Sequence, residues 1–370
     1  MKILKLNQTS TQEVIDYTIE ILQAGGLVLF PTETTYGAGV DATNPAAVEK
    51  LLAYKSRREG KPLSIAVTNK KMASEYVEVN ESASKLYERF LPGPVTIVSK
   101  GKGVVAPGVE SEFGTLGVRI PDHDLMLQIL EKFAKPITAT SANGSGKKRP
   151  YSIQDVLEHI SDKQKSLIDL IIDAGTLPSN PPSTVIDTTL STPVAVRKGS
   201  ISDQENMETG ESLTLFSDSE DETKAIAGKV LLRHWDAIKK SGIIIGLDGP
   251  LGVGKTIFAK GVAGFLKIED TITSPTYTYI EEYDYNRHNV TGQLFHLDVW
   301  KIDSQQQFEL LDFESMLGEK NVVVIEWWQQ VENFVLDLIS KRKKTPLPVI
   351  KINVTENGSQ RVLQINEFKR

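Results

Sequence analysis

The most constrained residues of this 370-residue chain lie in one glycine-rich run, GPLGVGKT, at positions 249–256. The run matches the G-x-x-x-x-G-K-[ST] pattern at every constrained position. In that pattern successive backbone N–H groups surround a phosphate, Lys255 reaches the β- and γ-phosphate oxygens, and Thr256 holds Mg²⁺. The predicted phosphate-binding residues are Gly249, Gly252, Gly254, Lys255 and Thr256.

The segments around this loop have the structure that its chemistry needs. Residues 242–248 are apolar and β-branched, which predicts a buried strand, and 255–266 have apolar residues at helical spacing. Two acids close later predicted strands, Asp298 in the run His296-x-Asp298 and Glu326 just before Trp327. An acid at such a place can hold Mg²⁺ or orient an attacking water, although a simple charge at the strand edge is the alternative for Glu326.

We therefore predict a metal site made by Thr256, Asp298 and Glu326, with Glu326 also catalytic. No Asn-Lys-x-Asp run, which would read a guanine base, follows the loop. The pattern favours ATP over GTP.

Polar residues also follow short apolar runs in the first 200 positions. The run PTETTYG, with Thr32 and Thr34, follows the predicted strand 27–30, and strand ends facing a cleft are where α/β proteins place ligands. A basic segment contains Lys55, Arg57 and Lys61, for which a solvated face is the ordinary interpretation. Further polar groups near strand ends are Arg119, Ser141, Asn143, Ser183 and Arg197. No Ser/His/Asp triad is apparent, so hydrolysis through a covalent intermediate is not favoured.

Length and composition limit the class of protein. A chain of 370 residues predicts two or three domains, and the absence of cysteine excludes disulfides and Cys-ligated zinc. The five histidines show no metal-binding spacing, so Mg²⁺ carried with a nucleotide is the expected metal. No signal-like start and no apolar run of about 18 residues is present, and a cytoplasmic protein that does not enter the membrane is expected.

Charge predicts where the domains divide. Residues 201–222 hold eight acidic residues and no Lys or Arg, so this segment alone outweighs the net charge of −6 and the regions on either side are each slightly positive. We predict a domain over 1–200, a flexible acidic linker over 201–222 and a domain over 223–370. A docking peptide is the alternative for the linker, because Leu213, Leu215 and Phe216 interrupt its polar sequence. Short apolar runs alternate with helical patterns before residue 200, which predicts an α/β domain with a twisted mixed sheet.

Six segments of the first domain, taken together, resemble the threonylcarbamoyl-adenylate synthase (YrdC-like) family. They are PTETTYG, Lys55-x-Arg57 with the following KPL, LPGPVT, GVRIP, Ser141-x-Asn143 and PSTVID, and they span nearly all of 1–200. The resemblance implies synthesis of threonylcarbamoyl-AMP and pyrophosphate from L-threonine, bicarbonate and ATP. It also implies a threonine site of Thr32, Thr34, Arg119 and Ser183, catalysis by Lys55 and Arg57, and a nucleotide site of Lys55, Arg57, Lys61, Thr115, Ser141, Asn143 and Arg197. One departure is Ala66, where some members carry His.

Residues 223–370 resemble the small P-loop ATPase of bacterial threonylcarbamoyladenosine biosynthesis. The matching segments are the glycine-rich loop, Ser274-Pro275-Thr276, His296-x-Asp298 and Glu326-Trp327, although Trp300-Lys301 stands where members often have an aromatic residue and Arg. The resemblance implies a P-loop NTPase-type α/β fold, Trp327 at the nucleotide, partner proteins of the threonylcarbamoyl-transfer complex and indirect contact with tRNA. The competing hypothesis is a non-catalytic RNA-binding module fused to a regulatory ATPase.

Overall fold

The computed structural model describes residues 1–55, 63–143, 148–190, 193–197, 199, 212–275, 278–342 and 346–368. The chain divides into two compact units, Met1–Met207 and Glu208–Arg370. This division falls inside the acidic segment 201–222.

The first unit contains two mixed sheets. Its strands are β1 (Lys2–Lys5), β2 (Val28–Phe30), β3 (Gly37–Gly39), β4 (Ser64–Ala66), β5 (Val77–Glu78), β6 (Val95–Gly101), β7 (Thr115–Arg119), β8 (Ile137–Thr138), β9 (Thr140–Ser141), β10 (Leu170–Asp173), β11 (Thr184–Asp187) and β12 (Val194–Arg197). One sheet has the order β1-β10-β2-β3-β9, and the other has the order β12-β11-β6-β7-β4-β8, with β5 paired to β6. The predicted mixed α/β class is confirmed, with two sheets where the sequence had suggested one.

Helices cover these sheets and close their cores. They are α1 (Thr11–Gln23), α2 (Pro45–Lys55), α3 (Lys70–Tyr76), α4 (Glu81–Phe90), α5 (Asp124–Phe133), α6 (Ile153–Leu157) and α7 (Asp162–Lys165). The Ser10 side chain caps α1 by accepting from the N–H of Glu13, and Val14, Ile15, Ile19 and Leu22 form its buried face. That face packs with α5 and with β1, β2 and β10 in one core, and a larger core lies around β4, β6 and β7.

The second unit is one seven-stranded sheet with flanking helices. Its strands are β13 (Ser212–Ser217), β14 (Ile243–Asp248), β15 (Ile280–Arg287), β16 (Val290–Asp298), β17 (Val322–Glu326), β18 (Val349–Asn357) and β19 (Gln360–Phe368). Its helices are α8 (Glu220–Ser241), α9 (Lys255–Leu266), α10 (Gln305–Glu309), α11 (Phe313–Met316) and α12 (Glu332–Lys341), with a 3-10 helix at Trp328–Gln330. The order β13-β19-β18-β14-β17-β16-β15 places the fully buried β14 between two parallel neighbours.

The predicted linker is wrong over its second half. Strand β13 pairs antiparallel with β19, from Ser212 opposite Asn366 to Ser217 opposite Arg361, and Leu215 is 3% exposed. Helix α8 begins at Glu220. Its first turn contains three acidic residues, whose negative charges interact favourably with the positive end of the helix dipole. Residues 212–222 are therefore part of the second unit, and 201–211 lie outside the described residues.

Within the described residues, no helix has both the length and the apolar character needed to cross a membrane.

Candidate functional sites

Three of the predicted side chains lie at the same end of neighbouring strands in the β12-β11-β6-β7-β4-β8 sheet. Strand β7 ends at Arg119 beside the start of the antiparallel β6, and Ser183 comes just before β11, which starts level with β6. Arg197 ends β12 opposite Val185, and its Nη2 donates to the Ser183 Oγ at 2.7 Å. The sheet register therefore brings together Arg119, Ser183 and Arg197, which lie far apart in the sequence.

Arg119 is paired with a carboxylate that the sequence analysis did not select. Its Nη2 donates to the Oε1 of Glu33, and the two side chains are 10% and 14% exposed. The Arg119 Nε, the Glu33 Oε2 and the Nδ1 of nearby His123 are buried without a hydrogen-bond partner among the described residues. Buried polar atoms are normally satisfied, so hydrogen-bonding capacity is left at Arg119, Glu33 and His123 for a polar ligand.

The turn that carries Glu33 also carries the two predicted threonines. The Thr32 Oγ1 donates to the Thr35 carbonyl at 2.7 Å and accepts from the N–H of Thr34 and of Thr35, each at 3.2 Å. The Thr34 Oγ1 lies 3.1 Å from the Thr32 Oγ1, and both residues are buried. Thr32 thus fixes the shape of the turn, and Thr34 is the hydroxyl better placed for a ligand. We call Thr32, Glu33, Thr34, Arg119, Ser183 and Arg197 the Arg119 cluster.

Positive charge is concentrated at this cluster. Burial lowers the pKa of Arg197, and the positive charges of Arg119 and Arg149 lower it further. Burial likewise lowers the pKa of His123, against the opposing influence of Glu33. A bound anion would relieve the repulsion between the three arginines, because a guanidinium cannot lose its charge near neutral pH.

A second group of predicted residues lies at the other end of the same turn. Gly37, which follows the turn, pairs with Ser141 of β9, and the Ala142 N–H donates to the Tyr36 carbonyl at 2.8 Å. Lys55 at the end of α2 is 6% exposed, and its Nζ donates to the carbonyls of Ser141 at 2.6 Å and Asn143 at 2.7 Å. In this structure Lys55 therefore holds the loop that presents Ser141 and Asn143.

The remaining predicted residues of this site lie elsewhere. Thr115 begins β7 opposite Lys100, at the opposite end of the strand from Arg119. Its hydroxyl lies 2.7 Å from that of Ser111. At about 3.3 Å per residue, β7 separates Thr115 from Arg119 by about 13 Å. The structure does not bring Thr115 to the cluster, and Arg57 and Lys61 lie outside the described residues.

In the second unit the glycine-rich loop joins β14 to α9. Gly249, Gly252 and Gly254 have φ of 135°, 80° and 110°, a region that favours glycine, and a Cβ on Gly249 would lie 2.1 Å from the Val354 carbonyl. The Lys255 Nζ donates to the carbonyls of Gly249 and Pro250, each at 2.8 Å, and lies 4.0 Å from the centre of the Trp327 ring. Burial lowers the pKa of Lys255, while nearby carboxylates oppose that shift.

Thr256 and the predicted acids meet at the carboxyl ends of β16 and β17. Glu326 and Asp298 are register partners, and both are buried. The Glu326 Oε1 accepts from the Thr256 Oγ1 at 2.8 Å and lies 2.9 Å from the Nε2 of the fully buried His296. The Asp298 Oδ2 accepts from the Ser274 Oγ at 2.8 Å. The structure thus joins Thr256 to Glu326 directly, and places Asp298 beside them.

Asp248 is an acid that the sequence analysis missed. It is the last residue of β14, 5% exposed, and its Oδ1 accepts from the Gln329 N–H at 2.8 Å. Its position directly before Gly249 could have identified it from the sequence, since ligands of α/β proteins bind at the carboxyl ends of the strands. Glu33 gave a weaker signal, because nothing local to PTETTYG indicates an arginine 86 residues away as its partner.

The described residues contain no cluster of three His, Cys, Asp or Glu side chains arranged to hold a metal ion. Mg²⁺ usually takes one or two protein oxygens and completes its shell with phosphate and water. The hydroxyl of Thr256 and the carboxylate of Glu326 suit that smaller requirement.

Fold and site together define a two-unit α/β protein that has a P-loop in its second unit. Residues 20–199 match the Sua5/YciO/YrdC family model, described as "Telomere recombination", and residues 217–362 match the model described as "Threonylcarbamoyl adenosine biosynthesis protein TsaE". Residues of the chain are 31% identical to the threonylcarbamoyl-AMP synthase of Photobacterium profundum over 42% of this chain and 85% of that protein. The chain therefore belongs to the Sua5/YciO/YrdC family, followed by a TsaE region.

Two further comparisons involve Pyrococcus abyssi. Its threonylcarbamoyl-AMP synthase is 38% identical over 49% of this chain, and the match spans 52% of that protein. The crystal structure of P. abyssi Sua5 complexed with L-threonine covers 88% of this chain and 92% of its own, with a TM-score of 0.50 and 23% identity. At that identity the structural likeness shows the fold alone.

Proposed function

We propose that the first unit joins L-threonine, bicarbonate and ATP to give threonylcarbamoyl-AMP and pyrophosphate. The proposal draws on the family and on the relatives named threonylcarbamoyl-AMP synthase. The observation that carries it is the Arg119 cluster, which combines buried hydroxyls, two guanidinium groups and two buried polar atoms, Arg119 Nε and Glu33 Oε2, that have no partner among the described residues. An amino acid with a side-chain hydroxyl supplies matching groups.

In this proposal Arg119 binds the threonine carboxylate through its planar guanidinium. The carboxylate would replace the contact that Arg119 now makes with Glu33. Thr34 and Ser183 then bond threonine's remaining polar groups, and Thr32 keeps the turn in shape.

The chemistry needs a carbamate and then a new bond to phosphorus. The threonine amine, once deprotonated, attacks carbon dioxide formed from bicarbonate, and a carbamate oxygen attacks the α-phosphate of ATP as pyrophosphate leaves. Negative charge grows on the phosphate oxygens, so fixed cations lower the barrier. We assign Arg197 to this charge, with Arg57 and Lys61 as further predicted contacts, and Ser141 and Asn143 to the nucleotide.

We propose that the second unit hydrolyses ATP in support of threonylcarbamoyl transfer to adenosine of tRNA. The TsaE match and the geometry of Lys255, Thr256 and Glu326 support this. Thr256 and Glu326 would hold Mg²⁺, which supplies charge neutralisation at the β- and γ-phosphates. Partner proteins of the transfer complex, indirect contact with tRNA and a cytoplasmic location are part of the same proposal.

An RNA-binding role for the first unit fits the geometry less well. Binding to a phosphate backbone requires exposed cations but has no use for buried hydroxyls. Arg197 and Arg149 are exposed, but Arg119 is 9% exposed and the hydroxyl-bearing Thr32, Thr34 and Ser183 are buried, which suits a small substrate better.

Mass spectrometry of the full chain with ATP, Mg²⁺, L-threonine and ¹³C-bicarbonate tests the synthase assignment. We expect threonylcarbamoyl-AMP carrying one ¹³C, with an equal amount of pyrophosphate, and no product when L-serine replaces threonine at the same low concentration. Pyrophosphate that forms without threonine, or RNA binding that falls steeply with salt in the absence of any product, would contradict the proposal.

A further inference from the structure

Arg361 lies against the phosphate loop although it is more than 100 positions away in sequence. Its Nε donates to the Val253 carbonyl at 3.1 Å. A Cβ built on Gly254 would lie 2.8 Å from that Nε and 3.1 Å from the Arg361 Cδ. The guanidinium group of Arg361 therefore lies directly beside Gly254, the glycine that precedes α9.

The hairpin of β18 and β19 delivers this arginine. Arg361 is the second residue of β19 and pairs with Glu356 on one side and Ser217 on the other. Val354 of the same hairpin meets the other end of the loop, since its carbonyl would lie 2.1 Å from a Cβ on Gly249. The hairpin thus contacts both ends of the phosphate loop, and β13 holds its outer strand.

The charge of Arg361 has no acidic partner in the described part of the chain. None of the ion pairs formed there includes Arg361, and the carboxylate of its strand neighbour Glu356 is exposed. Lys255 and the positive end of α9 lie on the same loop. The carboxylates of Glu326, Asp298 and Asp248 influence Lys255, but none of them forms an ion pair with Arg361 among the described residues, so its guanidinium group is available to an anion at the loop.

We propose that Arg361 is a phosphate-binding residue of the second unit, contacting the polyphosphate of the nucleotide through its guanidinium group. The inference rests on the proposed ATPase function and adds a ligand that the glycine-rich pattern does not include. The Nε bond to Val253 fixes the stem of the side chain, and the two Nη groups remain for phosphate oxygens. The φ of 110° is what favours glycine at position 254.

Tryptophan fluorescence of the full chain can measure nucleotide binding to the second unit separately from binding to the first. All four tryptophans, Trp235, Trp300, Trp327 and Trp328, belong to the second unit, and the Trp327 ring lies over the Lys255 ammonium. A fluorescence change with Mg·ADP that disappears in Lys255→Ala therefore reports the second unit, even if the first unit also binds nucleotide. The variants are Arg361→Gln and Arg361→Lys, and the control is Arg233→Gln, which removes a more exposed arginine paired with Glu367.

We expect Arg361→Gln to raise the Kd for Mg·ADP and Mg·ATP by roughly tenfold to a hundredfold, as for loss of a charged hydrogen bond. Arg361→Lys should raise it less, because a charge remains, and Arg233→Gln should leave it unchanged. The thermal midpoint of each variant shows whether it folds.

A wild-type Kd in a folded Arg361→Gln protein, or equal losses in the Gln and Lys variants, would overturn the assignment of Arg361. If the wild-type chain itself shows no Lys255-dependent signal, the proposed ATPase fails, and the inference fails with it. The two failures are therefore distinguishable.

Discussion

At the scale of single residues, the Arg119 cluster holds two guanidinium groups near each other, that of the buried Arg119 and that of the more exposed Arg197. Arg119 has one carboxylate partner, Glu33, and Arg197 is held by the hydroxyl and carbonyl of Ser183. Such an arrangement is costly in the free protein and favourable once an anionic substrate is bound. Substitutions here should change substrate affinity more than they change the fold.

We predict that Arg119→Lys raises the KM for threonine at least tenfold and changes the KM for ATP less than threefold. Lysine keeps the positive charge but loses the planar pair of donors that matches a carboxylate. Initial rates of pyrophosphate release, with each substrate varied in turn, measure the effect. Equal increases in both KM values would show that Arg119 does not select the amino acid.

Lys55 is predicted to stabilise the fold as well as the reaction. Its ammonium donates to two carbonyls of the loop 141–143, so Lys55→Met leaves both without that donor. We expect a loss of about 2–5 kcal/mol in the free energy of unfolding of the first unit, together with loss of pyrophosphate release. Calorimetry of the full chain measures this.

The control for Lys55 is Lys85→Met, which breaks a pair with Glu81 in which both side chains are mostly exposed. That substitution should change stability by less than about 0.5 kcal/mol. If Lys55→Met were no more destabilising than Lys85→Met, Lys55 would have no structural role in holding the loop.

At the scale of elements, β13 completes the sheet that supports the phosphate loop. It covers the outer edge of β19 through six register pairs, and β19 carries Arg361. An exposed edge strand is both less stable and prone to pair with other chains. The segment after residue 211 therefore belongs to the working part of the second unit.

We predict that Leu215→Ala destabilises the second unit by about 2–5 kcal/mol, the usual cost of removing a buried leucine side chain. Leu215 is 3% exposed, whereas Leu310, the matched control, is 85% exposed and its replacement by Ala should cost less than about 0.5 kcal/mol. Urea unfolding followed by tryptophan fluorescence reports on this unit alone. A flexible linker would give no difference between the two variants.

At the scale of the whole molecule, two units carry two nucleotide sites of different chemistry. A P-loop ATPase breaks the bond between the β- and γ-phosphates of ATP, whereas adenylation breaks the bond between the α- and β-phosphates. No residue of the loop 249–256 is needed for adenylation. The two reactions should be separable by single substitutions.

We predict that Lys255→Ala abolishes ADP formation and leaves threonine-dependent pyrophosphate release unchanged, whereas Arg119→Lys slows pyrophosphate release at low threonine and leaves ADP formation unchanged. Both products are measured in one reaction by chromatography of the nucleotides. In cells that depend on this chain, Lys255→Ala should still stop threonylcarbamoyladenosine formation. Loss of both activities in parallel would show that the sites are coupled.

Local sequence by itself determined the phosphate loop. The strand, the glycine positions, Lys255 and Thr256 are consecutive, so composition and helical or strand period suffice to place them. The same holds for α9, where the apolar spacing over 255–266 predicted the bounds that the structure has, Lys255–Leu266. The mixed α/β class and the family resemblance were also available from the sequence.

Tertiary structure alone decided which distant side chains meet. The contacts of Glu33 with Arg119 and of Arg361 with Gly254 depend on sheet register and strand order, which no local pattern fixes. The same register separates Thr115 from Arg119, although both belong to β7.

The acidic segment shows the physical reason most clearly. Its acids suggested a chain that cannot bury enough apolar surface, but three of them lie at the favourable end of α8, and Leu215 becomes buried because β19 offers an unpaired edge. The sequence determined the charge and the alternation of Leu213, Thr214 and Leu215. Only the presence of a partner strand, supplied from the far end of the chain, decided that the segment folds.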